Sequence, residues 1–130
     1  MEDIGLIHED LSYILRGIFY EVHNELGRFR NEKQYCDLIE EKIKIKLLSY
    51  RREVVLDPSF EGEKKGRNRT DFILENKIII EVKATPSFSR NDYMQCQRYL
   101  VSSGLKLCLL VNFGLNGCVI KRILNPNLPH

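Results

Sequence analysis

Thr70-Asp71-Phe72-Ile73-Leu74 and Ile78-Ile79-Ile80-Glu81-Val82-Lys83 decide how this sequence is read. Two short apolar runs flank Glu75-Asn76-Lys77, a pattern that predicts two antiparallel strands joined by a turn. Charged residues interrupt both runs. A charge inside a hydrophobic pattern is costly unless it is paired or holds a metal, so Asp71, Glu81 and Lys83 need a reason that packing does not supply.

Alternation along a strand puts Glu81 and Lys83 on one face, roughly 6.6–7 Å apart, with Ile78, Ile80 and Val82 turned to the other. Pairing in which positions sum to about 152 would set Asp71 opposite Glu81, and a slip of one residue would reverse the faces. Two converging carboxylates suit Mg²⁺ or Mn²⁺, since Mg²⁺ takes one or two protein carboxylates and fills its other positions with water and phosphate. Such an ion polarises a phosphodiester and acidifies a bound water, and a neighbouring lysine offsets charge that grows in the transition state. The stretch therefore predicts a metal-dependent phosphodiesterase site. Glu-x-Lys on a strand is by itself common and ordinarily marks a surface ion pair. The aspartate ten residues upstream, across a turn, is what lifts the chemical reading above that one.

Outward from these strands, Leu11, Ile14, Leu15, Ile18, Phe19, Val22 and Leu26 recur at helical spacing, predicting an amphipathic helix over 4–26 that ends at Gly27. Gly17 inside it suggests close packing. Asn31 can cap a second helix reaching about residue 48, with a stripe of Tyr35, Leu38, Ile39, Ile43 and Leu47. Residues 52–56 read as a strand stopped by Asp57-Pro58, and the polar, glycine-containing stretch 61–70 reads as an exposed loop. Its Lys64, Lys65, Arg67 and Arg69 form a basic cluster that would contact phosphate beside a phosphodiesterase site. Ser87 or Ser89 can cap a third helix over 90–102, stopped by Gly104. The apolar run within 106–113 predicts a strand buried on both faces, 118–124 a final edge strand, and 125–130 a loose tail. The order α-α-β-β-β-α-β-β implies an α/β architecture, a mixed sheet flanked by helices in a single domain over 1–130.

Bulk properties are compatible with this reading. A chain of 130 residues, 43% hydrophobic and 29% charged, can bury a core without metal or disulfide staples. The net charge of +2 argues against a general nucleic-acid coat but permits a local basic patch. Cysteines at 36, 96, 108 and 118 form no C-x-x-C pair, and histidines at 8, 23 and 130 complete no zinc spacing; reduced core thiols are the expectation. With neither a secretory signal pattern nor a membrane-length apolar run, the sequence reads as cytoplasmic.

Asp71-x9-Glu81-Val82-Lys83 resembles the PD-(D/E)XK nuclease signature, and with it the restriction-endonuclease-like fold. Val22-His23-x-x-Leu26-Gly27 and Glu32-Lys33-Gln34-Tyr35 resemble the segment that names the GxxExxY family of small bacterial and archaeal proteins. Gln95-Cys96-Gln97-Arg98-Tyr99-Leu100, Gly104-Leu105-Lys106, Leu110-Val111-Asn112-Phe113-Gly114 and Ile120-Lys121-Arg122-Ile123 are similar to its later segments, so the likeness spans about residues 5–125. The resemblance implies that Asp71 and Glu81 are metal ligands, Lys83 the catalytic lysine, and Glu32 an acid directed at the metal or its water. Gln95 and Tyr99 fit the Q-x-x-x-Y element of the exonuclease-related branch, where the glutamine helps hold the site or substrate. Two departures stand out: Gly27-Arg28-Phe29 replaces the usual Gly-x-Gly, and Arg69-Thr70 stands where a proline commonly precedes the aspartate.

The reading that results is a Mg²⁺- or Mn²⁺-dependent nuclease acting on nucleic acid, DNA foremost, in repair, recombination or defence. Its catalytic residues would be Glu32, Asp71, Glu81, Lys83 and Gln95, and its nucleic-acid contacts Lys64, Lys65, Arg67, Arg69 and Tyr99. A homodimer or a partner specificity protein would suit so short a chain. The competing readings are an inactive nucleic-acid-binding module of the same fold and a non-enzymatic protein in which Asp71, Glu81 and Lys83 form a salt-bridge cluster. Packing is the simpler role for Tyr35 and Tyr99, helix-end stabilisation for His23, and solvent exposure for Arg28 and Arg30.

Overall fold

The computed structural model describes residues 6–115 and 117–128. Helix α1 spans Glu9–Leu26, helix α2 Glu32–Ile45 and helix α3 Arg90–Ser103; the strands are β1 Tyr50–Val55, β2 Arg69–Leu74, β3 Ile78–Lys83, β4 Leu107–Gly114 and β5 Gly117–Leu124. This is the predicted element order. The sheet runs β1-β2-β3-β4-β5 in space, antiparallel except for the central β3–β4 pair, which α3 connects as a parallel crossover.

Helices cover both faces, giving three layers. On one side Leu15, Ile18, Phe19 and Val22 of α1 and Tyr35, Ile39 and Ile43 of α2 pack on Phe72, Leu74, Ile78, Ile80, Val82, Leu109 and Val111. On the other, Cys96, Tyr99 and Leu100 of α3 pack on Ile73, Ile79, Cys108, Leu110 and Ile123. Strand β4 contributes to both cores and is buried along its length, whereas β5 is the outer edge, as its mixed pattern predicts. Cys36, Cys96 and Cys108 are buried free thiols, and Cys118 is half-buried and also free.

The helix ends follow the sequence closely where capping chemistry is present. Gly27 leaves α1 with a positive φ of 67°, and Asn31 and Gln34 exchange side-chain and backbone hydrogen bonds at the start of α2. Ser89 and Asp92 do the same for α3. The structure departs from expectation at four points. Helix α1 begins at Glu9 rather than residue 4, after His8 in a left-handed turn; residues 1–5 lie outside the described residues. Helix α2 ends at Ile45, with Lys46 as its right-handed C-cap and Leu47 turning left-handed and 91% exposed. Gly17 has open space where a Cβ would stand, so it does not mark close packing. The segment expected to be a loose tail is anchored at its first residue, since the buried Asn125 amide donates to Leu100 and Leu105 carbonyls. No helix among the described residues is long and apolar enough to cross a membrane.

Candidate active site

Strands β2 and β3 pair in the predicted register, Phe72 opposite Ile80, Ile73 opposite Ile79 and Leu74 opposite Ile78. The ladder stops there. Thr70 and Arg69 stay paired with β1, through Val54 and Val55, while Glu81, Val82 and Lys83 stay paired with β4. The sheet therefore forks at the level where Asp71 and Glu81 were expected to face each other. Divergence strips backbone groups of their ladder partners, and buried backbone polar groups must find others. Here the two acids supply them: Asp71 Oδ2 accepts the Val82 N–H at 2.7 Å, and Glu81 Oε1 accepts the Asp71 N–H at 3.0 Å and the Thr70 hydroxyl at 2.6 Å.

A second irregularity lies on the other side of Asp71. Glu53 adopts a left-handed φ of 53°, and the β1–β2 pairing passes from Arg52–Phe72 to Val54–Thr70 around it. Tyr50 packs on the α1/α2 side of the sheet, whereas Val54 and Leu56 pack on the α3 side. The turn at Glu53 reverses the faces of β1 beside the fork, the kind of local distortion that re-aims side chains next to active sites.

Burial sets the electrostatics. Glu81 is 4% exposed, and loss of solvent, reinforced by the charge of Asp71, pushes its carboxyl up to about 8. Asp71 is raised too, by burial first, against the pull of the Val82 N–H; Glu32 adds repulsion, while Lys83 and Arg52 oppose it. Asp71 Oδ1 and Glu81 Oε2 accept no hydrogen bond from the described residues, so each acid keeps one oxygen to offer a cation. Two carboxyls raised by burial, Glu81 buried and Asp71 half-buried, each with one oxygen uncommitted among the described residues, are the hard oxygen donors that a divalent ion takes.

Lys83 emerges on the same side as Glu81. Its ammonium donates to Gln95 Oε1 at 3.0 Å and lies 3.7 Å from Asp92 Oδ1, both on α3. Gln95 thus contacts the lysine of the pattern directly. Asp92 was not anticipated from the sequence. Asp92 closes the capping box with Ser89, its carboxylate accepting the Ser89 N–H at 2.8 Å through its other oxygen. That the same carboxylate would reach Lys83 depended on where α3 lands against β3. Thr70 was missed for the same kind of reason, because its hydroxyl serves Glu81 only where the strands have parted.

Glu32 stands exposed at the first position of α2 and borders an open depression shared with Phe29, Arg30 and Ala84, the residue after Lys83. It is near enough to perturb Asp71 but does not join the two acids tightly; no three His, Cys, Asp or Glu side chains converge on one metal position among the described residues. The exit from β3 is fixed by Asn112 of β4, 3% exposed, whose amide accepts the Thr85 N–H and donates to the Thr85 carbonyl. Gly114 permits that approach, because a Cβ there would meet the Thr85 oxygen at 2.7 Å.

The basic loop is exposed as expected but braced internally. The Glu63 carboxylate accepts from the Ser59 backbone and hydroxyl and from the Asn68 amide, the last at 2.8 Å. Lys64 and Arg67 share a depression of about 440 Å³ with Arg98 of α3, a third cation that the sequence did not single out. Lys65 and Arg69 are also exposed, and Arg69 opens β2 two residues before Asp71. Tyr99 does not belong to this surface. It is 3% exposed and packed in the α3-side core, and burial and the Glu81 charge push its hydroxyl up to about 12. A ring so enclosed cannot stack on a base; the packing reading of Tyr99 is the correct one.

The raised Glu81 carboxyl carries a consequence for stability. Its native value, about 8, exceeds its ordinary value of 4.5, so across that window the folded chain holds a proton that the unfolded chain has lost. Stability of the metal-free protein should fall as pH rises from about 4.5 toward 8 and then level off. Thermal melts in chelator should show this fall, Glu81→Gln should flatten it, and Mg²⁺ or Mn²⁺ should offset it at the alkaline end. A flat profile for the wild type would contradict the buried, proton-holding acid.

Comparison with known proteins follows the same lines. Residues 9–123 match the PD-(D/E)XK nuclease superfamily. Among solved structures, an alkaline exonuclease from Laribacter hongkongensis superimposes with a TM-score of 0.50 at 12% identity, covering 98% of this chain and 62% of its own. The protein SSO0001 superimposes with a TM-score of 0.53 at 20% identity, covering 94% of this chain and 79% of its own. The chain therefore spans less than two thirds of the exonuclease's length. At such identities the likeness speaks for the fold. No curated protein sequence matches the chain.

Proposed function

Because this chain belongs to the PD-(D/E)XK nuclease superfamily, with residues 9–123 matching it, we propose that it is a nuclease that uses Mg²⁺ or Mn²⁺ to hydrolyse phosphodiester bonds, in DNA foremost. The observation that carries the reading is the fork, where half-buried Asp71 and buried Glu81 each bond the other strand's backbone and keep one oxygen uncommitted among the described residues, with Lys83 on the face of Glu81 reaching Gln95. A divalent ion held by those two acids would polarise the phosphodiester and acidify a water. The protein's own residues do the rest. Glu81, with its proton given up, and Asp71 from the opposite strand would hold the cation, and Lys83 would direct its positive charge toward the phosphate. Gln95 and Asp92 restrict where that ammonium can go. Glu32, which lines a depression with Ala84 and whose charge reaches Asp71, would orient a water at the ion.

Lys64, Lys65, Arg67, Arg69 and Arg98 provide a basic surface for the phosphate backbone. Within the superfamily we place the chain in the GxxExxY group, on Val22-His23-x-x-Leu26-Gly27 and Glu32-Lys33-Gln34-Tyr35, with Phe29 standing where the second glycine of Gly-x-Gly is usual. The Tyr35 hydroxyl donates to the Gly27 carbonyl at 2.6 Å, tying the loop that carries the motif. Repair, recombination or defence in a prokaryotic cytoplasm, with a second copy or a specificity protein as partner, fits a chain with little surface to spare for substrate selection.

End-labelled single- and double-stranded DNA and RNA, incubated with the protein in Mg²⁺, Mn²⁺ or chelator, test the proposal. Cleavage that requires the metal and favours DNA is the expected result. Salt-dependent binding with no cleavage under any metal would make the chain a binding module instead.

A further inference from the structure

The loop between α1 and α2 holds a feature that the catalytic reading does not use. Phe29 is 80% exposed and adopts a left-handed φ of 73°, a conformation that costs a non-glycine residue energy and is kept where something compensates. The loop around it is not loose. Arg28 donates to the Leu115 carbonyl at 3.3 Å, Arg30 donates to the Leu26 carbonyl at 3.3 Å, and the Tyr35 hydroxyl holds the Gly27 carbonyl. The Arg28 guanidinium lies 5.4 Å from the Phe29 ring centre, supporting one side of the ring and leaving the other to solvent. A braced loop thus presents a phenyl ring outward at the expense of its own backbone.

Its position matters more than its exposure. Phe29 borders both the depression that contains Glu32 and Ala84 and a neighbouring cleft of about 170 Å³ formed with Thr85, Pro86 and Gly114. Glu32, whose charge reaches Asp71, lines the first of these depressions together with the ring, which is flanked in sequence by Arg28 and Arg30. An apolar partner protein would meet positive charge on both sides of a single ring. An unpaired nucleobase, with its phosphates against Arg28 and Arg30, satisfies both the ring and the charges. We infer that Phe29 is a base-stacking platform that grips one unpaired nucleotide of a single DNA strand next to the cleaved phosphate. The inference rests on the nuclease reading and adds a residue and a substrate feature to it.

The chain has no tryptophan, so Phe29→Trp installs a sole reporter at the point in question. In Ca²⁺, titration of that variant with a thymidine oligonucleotide should quench its emission, and an oligonucleotide with an abasic position should bind through its phosphates with less quenching. Phe29→Ala should bind single-stranded DNA on the order of tenfold more weakly by fluorescence anisotropy, with Phe29→Tyr close to wild type. Phe29→Gly should melt at a higher temperature than wild type, since glycine accepts the left-handed backbone, yet bind as weakly as the alanine variant. Wild-type binding alongside a silent tryptophan, or unchanged affinity in Phe29→Ala, would overturn the inference and leave the nuclease reading standing. Failure of the wild type to bind any oligonucleotide would overturn both.

Discussion

Asp71→Asn should lower metal-dependent cleavage by on the order of a thousandfold without lowering thermal stability. The two halves of that expectation come from the two oxygens of the carboxylate. Oδ2 serves the backbone by accepting the Val82 N–H at 2.7 Å, and an asparagine carbonyl can do the same. What asparagine cannot supply is the negative charge that draws a cation to Oδ1. Burial raises the Asp71 carboxyl, so neutralising it relieves the metal-free fold rather than straining it. Single-turnover cleavage in Mn²⁺ and a thermal melt in chelator check the two halves together. Full cleavage by the variant would place the chemistry elsewhere, and a large drop in melting temperature would reduce Asp71 to a structural acid.

Lys83→Met should be nearly as damaging, lowering kcat by two to three orders of magnitude, on the order of 100- to 1000-fold, with little change in KM. Methionine keeps the length and apolar stem of lysine, so the loss isolates the ammonium. Two features of α3 explain why so mobile a side chain can act from a defined place. Gln95 accepts from it at 3.0 Å, and Asp92 lies at 3.7 Å while its other oxygen is committed to the helix cap. Gln95→Ala, which frees the ammonium without removing it, should cost on the order of tenfold. Activity in Lys83→Met equal to wild type would show that the lysine only neutralises Asp92.

Hydrophobic periodicity made the architecture legible, and local chemistry set most boundaries. The helical stripes of α1 and α2, the capping residues Asn31 and Ser89, and the unbroken apolar run of β4 each pointed to the element observed. The hairpin register was also readable, because only one phase buries Ile78, Ile80 and Val82 together with Phe72 and Leu74. The fork was not. It arises where side-chain carboxylates replace ladder partners and where Glu53 turns left-handed, and neither leaves a periodic signature. The site that pairing alone would have made, two acids abreast on adjacent strands, is instead two acids reaching across a gap.

Helix α3 shows the other limit. Gln95 and Tyr99 lie four residues apart and so share a side of the helix. Spacing could not tell that Gln95 meets Lys83 while Tyr99 sinks into the core one turn further on. Burial along a helix depends on how its axis lies over the sheet. The same tertiary placement brought Asp92 to Lys83 and Arg98 to the basic loop.

Mn²⁺ binding followed by electron paramagnetic resonance tests most directly whether the fork makes Asp71 and Glu81 one cation site. Wild-type protein should bind one Mn²⁺ with proton release near neutral pH. Asp71→Asn and Glu81→Gln should each lose at least about tenfold in affinity, and Glu32→Gln should lose far less. Unchanged Mn²⁺ affinity in Asp71→Asn and Glu81→Gln would contradict the account.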